Sequence, residues 1–283
     1  MSQQTGIVRS MSNEAYHASE GLNNSTLSSM TDSPAHCYAL HIDPARPKRE
    51  ATPAMLAGTL AHCAILEPDE LPSRYYIRPD GIDGRTKEGK ALLALIPPSL
   101  TVITTAQFDT AQAQRRAIMT TPELLQVLST GAAEQSVFWR DQATHLLCKC
   151  RPDWVHTLPD GRVILVDVKT TTDASPGAFA KTVWNYGYHR QAAHYSTGWE
   201  AATGQEVAAF VFAVVTNGYP ILAAAHMLDE DYQRLGADEC RKLIDAYADC
   251  KRAGKWPGFV GMNLLTPPAW ARKTEDELDV SYV

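Results

Sequence analysis

The chain has 283 residues, of which 45% are hydrophobic and 20% charged, with a formal net charge of −6. These values are typical of a folded globular protein with one large domain or two small ones, and the negative balance excludes a broad basic surface without excluding a local basic channel. The sequence has no apolar run long enough to span a membrane, and its N-terminus lacks the apolar segment of a signal peptide. We therefore expect a cytoplasmic protein without a membrane span.

The first half of the chain predicts mainly helices. Residues 1–22 are expected to be irregular. The elements predicted after them are a helix opening at Thr26 and capped by Asn24 or Ser25, a short helix at 33–36, an apolar helix from Pro53 to just before Pro68, a mobile glycine-rich loop at 78–90, a polar helix at 105–119, and a helix from Pro122 to about 129.

The second half alternates strands and helices. The predicted elements are strands at 135–140, 145–155 and 163–170, helices at 175–184 and 188–202, strands at 207–216 and 221–228 joined through Asn217-Gly218, and an amphipathic helix at 229–253. This order predicts an α/β fold with a central mixed β-sheet flanked by helices. We expect a single domain over 1–255, with N-terminal helices at 20–130 and a catalytic core at 131–255, followed by an extended arm at 256–283.

The six cysteines do not form a metal-binding pattern. None of them stands in a CxxC pair, and only Cys148 and Cys150 lie close together, two apart on a predicted strand. A zinc or iron–sulfur site is possible at such a pair, but reduced thiols in the core are the better interpretation.

The stretch 145–170 is the most informative part of the chain. Two β-type segments flank a turn at 158–161; the first ends at Asp153, and the second carries Asp167, Val168 and Lys169. Side chains alternate along a strand, so Asp167 and Lys169 share a face, and Asp153 can approach Asp167 if the segments pair. Paired carboxylates suit Mg²⁺ or Mn²⁺, and the lysine can hold or deprotonate a water or neutralise a phosphoryl oxygen. The alternative is the solvated face of a half-buried hairpin.

Three further residues can join this D…DxK pattern. His62 lies among small residues of the apolar helix, where it could be a third metal ligand, although a single histidine on an apolar face is more often part of the core. Gln191 and Tyr195 are four apart on one helical face and could orient Lys169 or grip a phosphate; an ordinary amphipathic face is the alternative.

Other polar and basic positions are candidates for substrate contacts. Glu134 directly precedes the strand at 135–140 and could enter the same pocket. The basic loops at 46–49 and 78–90 could clamp a DNA backbone, although each alone is more often a solvated loop.

Five segments carry a resemblance to a known family, in the family's order and at compatible spacings over roughly residues 12–200. They read NEAYHASEGLNNSTLSSMTDSPAHCY, GTLAHCAILEP, CRPDWV, LVDVKTT and YHRQAAHY. The chain resembles the PD-(D/E)XK nucleases, which have a restriction-endonuclease-like core. Within them it is most similar to the RecE-like (exodeoxyribonuclease VIII) branch, related to phage lambda exonuclease and the RecB nuclease domain.

The resemblance implies a role for each motif residue. The implied metal ligands are His62, Asp153, Asp167 and the Val168 carbonyl, with Mg²⁺ as the cofactor, Mn²⁺ able to substitute, and two ions per site. Lys169 would activate the attacking water, and Gln191 and Tyr195 would position that lysine and the phosphate. Ser25, Ser28 and Arg190 are candidates for reading a 5′-phosphate. Asp167 stands where many relatives have glutamate.

The resemblance also implies an activity and partners. Members degrade one strand of linear double-stranded DNA from its 5′ end, leaving a 3′ single strand for recombination. They form homo-oligomeric rings, which we expect here as a trimer or tetramer, and they hand the strand to an annealing protein of the RecT/Bet type. Three alternatives are a PD-(D/E)XK endonuclease of repair or restriction type, a catalytically silent DNA-binding module, and an unrelated metal hydrolase acting on a small substrate.

Overall fold

The computed structural model describes residues 5–9, 11–47, 51–259 and 261–267. The α-helices are α1 Asn13–Ala18, α2 Asn24–Asp32, α3 Pro34–Cys37, α4 Pro53–Leu66, α5 Leu71–Arg74, α6 Lys87–Ala94, α7 Thr105–Met119, α8 Pro122–Leu128, α9 Pro176–Tyr186, α10 Tyr188–Thr203 and α11 Glu230–Ala253. The strands are β1 Gly6–Val8, β2 Tyr75–Arg78, β3 Thr101–Thr104, β4 Ala132–Ala133, β5 Ser136–Arg140, β6 Leu147–Cys150, β7 Trp154–Thr157, β8 Val163–Thr171, β9 Val207–Thr216 and β10 Ala223–Met227.

The main sheet has five strands in the order β10-β9-β8-β7-β4. Strands β8 and β9 are parallel, and the other neighbours are antiparallel. A parallel pair needs a long crossover connection, which α9 and α10 provide. The predicted α/β fold with a central mixed sheet and flanking helices is thus confirmed.

Strand β8 is buried on both faces, and its alternation decides where the polar residues lie. Val166 and Val168 face a core cluster that includes Ile65 of α4 and Ile118 of α7. Val163 and Leu165 face the opposite cluster, which includes residues of α10 and α11. Asp167 and Lys169 continue this second face beyond its apolar part, so they reach the end of the core as polar groups.

The prediction of one strand over 145–155 is wrong, because this segment divides between two sheets. The chain leaves a separate three-stranded sheet, in the order β1-β5-β6, after Cys150 and enters the main sheet at Trp154. Pro152 lies in the break, where a residue without an N–H cannot continue a ladder. The break places Asp153 at the start of β7 and not at the end of a long strand.

Three other predictions need correction. Residues 1–22 contain β1 and α1. The cap of α2 is Asn23, not Asn24 or Ser25, because the Asn23 side chain accepts the N–H of Thr26 at 2.9 Å. The proposed loop at 78–90 ends in α6, whose cap Thr86 accepts the N–H of Gly89 at 3.0 Å.

The remaining helix predictions are confirmed, with α4, α7 and α8 close to their predicted bounds. All six cysteines are free thiols, and five are buried. No described helix combines the length and apolarity that a bilayer crossing requires.

The predicted arm has no helix or strand over its described residues 256–259 and 261–267. Trp256 packs against Tyr38 and Tyr247, with ring centroids 5.8 and 5.2 Å away. Trp270 and Tyr282 of the arm lie outside the described residues, as do Lys48 and Arg49 of the basic loop at 46–49. The domain boundary at residue 255 stays a prediction.

Candidate active site

The β7–β8 hairpin brings the two aspartates together. Trp154 pairs with Val166, which places Asp153 opposite Asp167. The Val168 N–H donates to Asp153 Oδ2 at 2.7 Å, so β8 holds the carboxylate of the neighbouring strand. The predicted turn at 158–161 closes this hairpin, with the Leu158 N–H donating to the Arg162 carbonyl at 2.8 Å.

Asp167, Lys169 and Gln191 form one hydrogen-bonded network. Asp167 is only 2% exposed. Its Oδ2 lies 2.5 Å from Lys169 Nζ, and its Oδ1 accepts from Gln191 Nε2 at 2.5 Å. The same lysine donates to Gln191 Oε1 at 2.9 Å, so the Gln191 amide binds both members of the pair. This network fixes the charged end of the lysine beside the carboxylate.

The network also keeps Lys169 charged. Burial acts to lower its pKa, but the charges of Asp167, Tyr188 and Asp153 and the hydrogen bond to Asp167 together outweigh burial, and the pKa is raised. The ammonium lies 4.3 Å from the ring centroid of Tyr188, which adds a cation–π contact. Lys169 is therefore a positioned cation at the edge of the carboxylate cluster.

Three residues from separate elements form a group that could hold a metal ion. Ligand atoms of His62, Glu134 and Asp153 all lie within 4.8 Å of one another. His62 on α4 approaches Asp153 Oδ2 with its Nδ1 at 3.4 Å. Glu134 follows β4, and its backbone N–H donates to the Asp153 carbonyl at 3.0 Å. Glu134 has a positive φ of 52°, a conformation that few residues other than glycine adopt.

The pKa shifts of these three residues are those expected of side chains that bind a divalent cation. Burial, and then the charge of Asp167, raises the pKa of Asp153 well above its usual range. Burial, and then Asp153, raises the pKa of Glu134 to about 7. Burial lowers the pKa of His62, which favours the neutral imidazole. Two desolvated carboxylates and a neutral imidazole are a chemically suitable donor set for a hard divalent cation.

The other predicted residues make different contacts. Tyr195, on the same helix as Gln191, packs on Phe210 with ring centroids 6.3 Å apart; burial is the main cause that raises the pKa of its hydroxyl, and the charges of Asp167 and Asp153 contribute, so it lies near both aspartates. The Arg190 guanidinium pairs with Glu239 of α11 at 2.7 Å. Ser25 donates to Asn23 at 2.8 Å, and no hydrogen bond between described residues joins Ser25 or Ser28 to the carboxylates. The role of the Val168 carbonyl stays a prediction.

Sequence reasoning missed two neighbours of the cluster. Arg151 lies two residues before Asp153, and its Nε contacts Glu134 Oε2 at 2.7 Å. Tyr188 lies beneath Lys169. Tyr188 stands three residues before Gln191 on the same helix, and this i, i+3 spacing could have indicated it.

The fold and this site define a PD-(D/E)XK-type protein, in which carboxylates and a lysine meet on adjacent strands. A family description, PDDEXK-like domain of unknown function (DUF3799), matches residues 23–262. The chain belongs to this family and with it to the PD-(D/E)XK nuclease superfamily. No curated protein matches.

Two solved structures show how far the likeness in fold extends. A candidate exonuclease from Eubacterium rectale aligns with a TM-score of 0.55 and 13% identity, over 97% of this chain and 100% of that one. SSO0001 aligns with a TM-score of 0.26 and 12% identity, over 49% of this chain and 66% of that one. The first likeness supports the fold, and the second is too weak to support an argument.

Proposed function

We propose that the chain is a metal-dependent deoxyribonuclease that resects linear double-stranded DNA from 5′ to 3′. The observation that carries the nuclease proposal is the network of Asp167, Lys169 and Gln191 beside the possible metal ligands His62, Glu134 and Asp153. Direction and end dependence rest on the resemblance to RecE-like exonucleases. End dependence is also supported by the similarity in fold to a candidate exonuclease.

The residues of the site have separate chemical roles that suit phosphodiester hydrolysis. His62, Glu134 and Asp153 would hold a divalent ion, proposed to be Mg²⁺ with Mn²⁺ as a substitute. When bound, such an ion lowers the pKa of a water and offsets negative charge on the phosphate. Because its pKa is raised, Lys169 is better suited to donate to a phosphoryl oxygen than to remove a proton from water. Gln191 keeps that donor in place.

The remaining parts of the proposal rest on the resemblance. They are a homo-oligomeric ring of three or four subunits, a second ion in each site, and delivery of the 3′ strand to an annealing protein. Arg190 is paired with Glu239 and the Ser25 hydroxyl donates to Asn23, so Ser28, whose hydroxyl makes no hydrogen bond with a described residue, is the least engaged of the three candidates for reading a 5′-phosphate.

The test is digestion of linear duplex DNA in Mg²⁺ and in EDTA, beside a covalently closed circle of the same sequence. Substrates carry a 5′-phosphate or a 5′-hydroxyl, and two further duplexes carry phosphorothioate linkages at the 5′ ends or at the 3′ ends only. We expect Mg²⁺-dependent loss of linear DNA that is blocked by 5′ linkages, with the circle intact. Nicking of the circle would replace this proposal with the endonuclease alternative. DNA binding without cleavage in Mg²⁺ or Mn²⁺ would leave the silent binding module.

A further inference from the structure

Tyr186 has an exposed aromatic ring that is connected to the site through the ring of Tyr188. Tyr186 ends α9 and is 66% exposed. Its ring stacks on Tyr188, with centroids 5.8 Å apart and planes 21° apart. Tyr188 in turn lies 4.3 Å from Lys169 Nζ. Lys169, Tyr188 and Tyr186 therefore form a column that leads from the carboxylate cluster to the surface.

The corner that presents this column is held firmly. Gly187 joins α9 to α10 with a φ of +66°, ending one helix and preceding the next. A Cβ at this glycine would lie 2.0 Å from Arg190 Nη2, so the guanidinium fills the space beside it. Arg190 is itself fixed by Glu239 at 2.7 Å. The two tyrosines are thus set at their positions before any ligand arrives.

Nothing in the described part of the chain occupies the outer side of Tyr186. Its hydroxyl makes no hydrogen bond with any described residue, and the exposed ring presents a π surface next to a site suited to phosphate. Each sugar between two phosphates of a nucleic-acid strand carries a base, so a strand whose phosphate meets Lys169 brings a neighbouring base close to the column. Aromatic side chains bind bases by stacking, whatever the base.

We propose that Tyr186, supported by Tyr188, is a stacking platform for a base of the strand being cleaved. A base inside a duplex is stacked on both faces and cannot take this position, so the bound base lies at the end of the duplex. The inference rests on the proposed nuclease function and adds its substrate form, a DNA end whose terminal base stacks on the protein.

Trp184 provides a matched control on the same helix. It is 55% exposed, but it stacks on His189, with centroids 5.6 Å apart, and this column ends at Glu239 and not at Lys169. Tyr186→Ala and Trp184→Ala therefore remove similar exposed rings from different columns. Tyr186→Phe keeps the π surface and removes only the hydroxyl.

The kinetic arm of the test compares these variants on duplexes whose terminal nucleotides are intact, mismatched or abasic. We expect Tyr186→Ala to lower kcat/KM on intact DNA by roughly tenfold or more, with Tyr186→Phe and Trp184→Ala near wild type. An abasic nucleotide at the stacked position should slow the wild type and leave Tyr186→Ala unchanged. Equal losses in Tyr186→Ala and Trp184→Ala, or additive effects of the abasic site and Tyr186→Ala, would overturn the proposal.

A binding arm separates this proposal from the proposed function. Duplexes carrying 2-aminopurine at the first, second or third nucleotide are titrated with protein in EDTA, where no metal-dependent cleavage occurs. We expect fluorescence quenching at one position with wild type and Trp184→Ala and not with Tyr186→Ala. Cleavage by the wild type without this position-specific difference would overturn the platform and leave the nuclease standing. Quenching at one position without cleavage in Mg²⁺ would leave the platform standing and overturn the proposed nuclease function.

Discussion

Three carboxylates and two cations share the site, and their balance governs its chemistry. Asp167 is paired with Lys169, and Glu134 is paired with Arg151. Among the described residues, Asp153 has no cationic partner of its own beyond the approach of His62. The cluster therefore has more carboxylates than cations in a partly desolvated place, which favours binding of a divalent cation and makes each residue sensitive to substitution.

We expect Asp153→Ala, Asp167→Ala and Lys169→Ala each to abolish cleavage. Lys169→Ala also leaves the buried carboxylate of Asp167 unpaired, which should lower stability by about 3 kcal/mol or more. Asp167→Asn keeps the shape but leaves the Lys169 ammonium without its carboxylate, so it should lower stability as well. Cleavage rates and thermal unfolding measured together separate the two effects. Asp160→Asn, in the exposed β7–β8 turn, is the control. A folded variant of any of the three residues with wild-type cleavage would refute the assignment.

Glu134 makes the stability of the metal-free protein depend on pH. Its pKa is about 7 in the folded protein, against an ordinary value of 4.5. The folded state therefore binds more protons between these values, and the contribution of Glu134 to stability falls as pH rises from about 4.5 to about 7. Burial lowers the pKa of His194 to about 4, which acts in the opposite direction. The pH dependence of the free energy of unfolding of the wild type alone therefore does not report the pKa of Glu134.

The difference between wild type and Glu134→Gln isolates this contribution. Urea unfolding in EDTA at pH 5, 6, 7 and 8 should show the free energy of unfolding of the wild type falling relative to Glu134→Gln by roughly 1–3 kcal/mol. Mg²⁺ should reduce the difference, because bound metal stabilises the ionised carboxylate. A difference that stays constant from pH 5 to 8 would contradict the pKa of Glu134 given above.

The sequence predicted the contacts that follow from the alternation of side chains along a strand. Asp167 and Lys169 lie on one face of β8, and Gln191 reaches the lysine from α10. The Glu134 position depends on a positive φ that its neighbours in sequence do not indicate. The contact between Arg151 and Glu134 depends on the break between β6 and β7, which the apolar pattern of residues 145–155 does not indicate. Such contacts come from tertiary structure, and local spacing does not contain them.

Among the elements, α10 decides the shape of the site, because it carries Gln191 and packs closely on both sides. Gly198 touches the Trp139 ring of β5, and a Cβ there would lie 2.4 Å from Trp139 Cη2. Gly236 of α11 touches the His189 backbone, where a Cβ would lie 2.3 Å from the carbonyl oxygen. Glycine lets both neighbours approach the helix backbone.

We expect Gly198→Ala to destabilise the protein by about 1–3 kcal/mol, since the rigid indole must move or α10 must shift. Gly177→Ala is the matched control, because a Cβ at this position of α9 meets nothing within 4 Å. It should be neutral or slightly stabilising. Thermal unfolding of both variants gives the comparison. Equal melting temperatures for the two would show that the close contact with Trp139 carries no energy.

The elements differed in how well the sequence indicated them. Helices with a proline at their first turn, such as α4 and α8, were predicted well because start and stop signals are local. The segment 145–155 was predicted as one strand because its apolar pattern runs through Pro152. Which sheet each half joins depends on partners far away in sequence, β5 for one and β8 for the other.

A buried lysine helps to hold the N-terminal segment to the rest of the molecule. Lys149 of β6 is almost fully buried. Its ammonium has three N–H donors, and three oxygens accept them: the Tyr16 and Ser19 carbonyls at 2.7 and 2.6 Å, and Ser19 Oγ at 3.2 Å. Burial lowers its pKa to about 8, so it stays mostly charged at neutral pH. This lysine ties α1 to the β1-β5-β6 sheet.

Lys149→Met should release this N-terminal segment without unfolding the main sheet. The methionine fills similar space but leaves the Ser19 carbonyl without a donor among the described residues, at a cost of roughly 1–3 kcal/mol, while the Tyr16 carbonyl keeps the Ser19 hydroxyl as a donor at 2.7 Å. Hydrogen exchange should rise over residues 5–22 and stay low in β8 and β9. Lys181→Met is the control, because Lys181 is exposed and makes no ion pair with any described residue. Unchanged protection of residues 5–22 would show that other contacts hold the segment.

The described part of the arm suggests how copies of the chain would assemble. Phe259, Met262, Leu264 and Leu265 are almost fully exposed, which is unusual for a run of large apolar side chains on a monomer. Trp256 anchors the start of the arm, and the Ala35 N–H donates to the Pro257 carbonyl at 3.1 Å. A chain ending at Gly258 keeps this anchor and loses the exposed apolar residues.

We therefore expect the full chain to form the trimer or tetramer implied by the resemblance, and the chain ending at Gly258 to be smaller in light scattering while keeping its helix content. A ring that encloses DNA makes digestion processive, so the shortened chain should release partly digested duplexes that the full chain does not. A full chain that is monomeric at every concentration would refute the ring. A shortened chain of unchanged size would refute the role of the arm while leaving the ring in place.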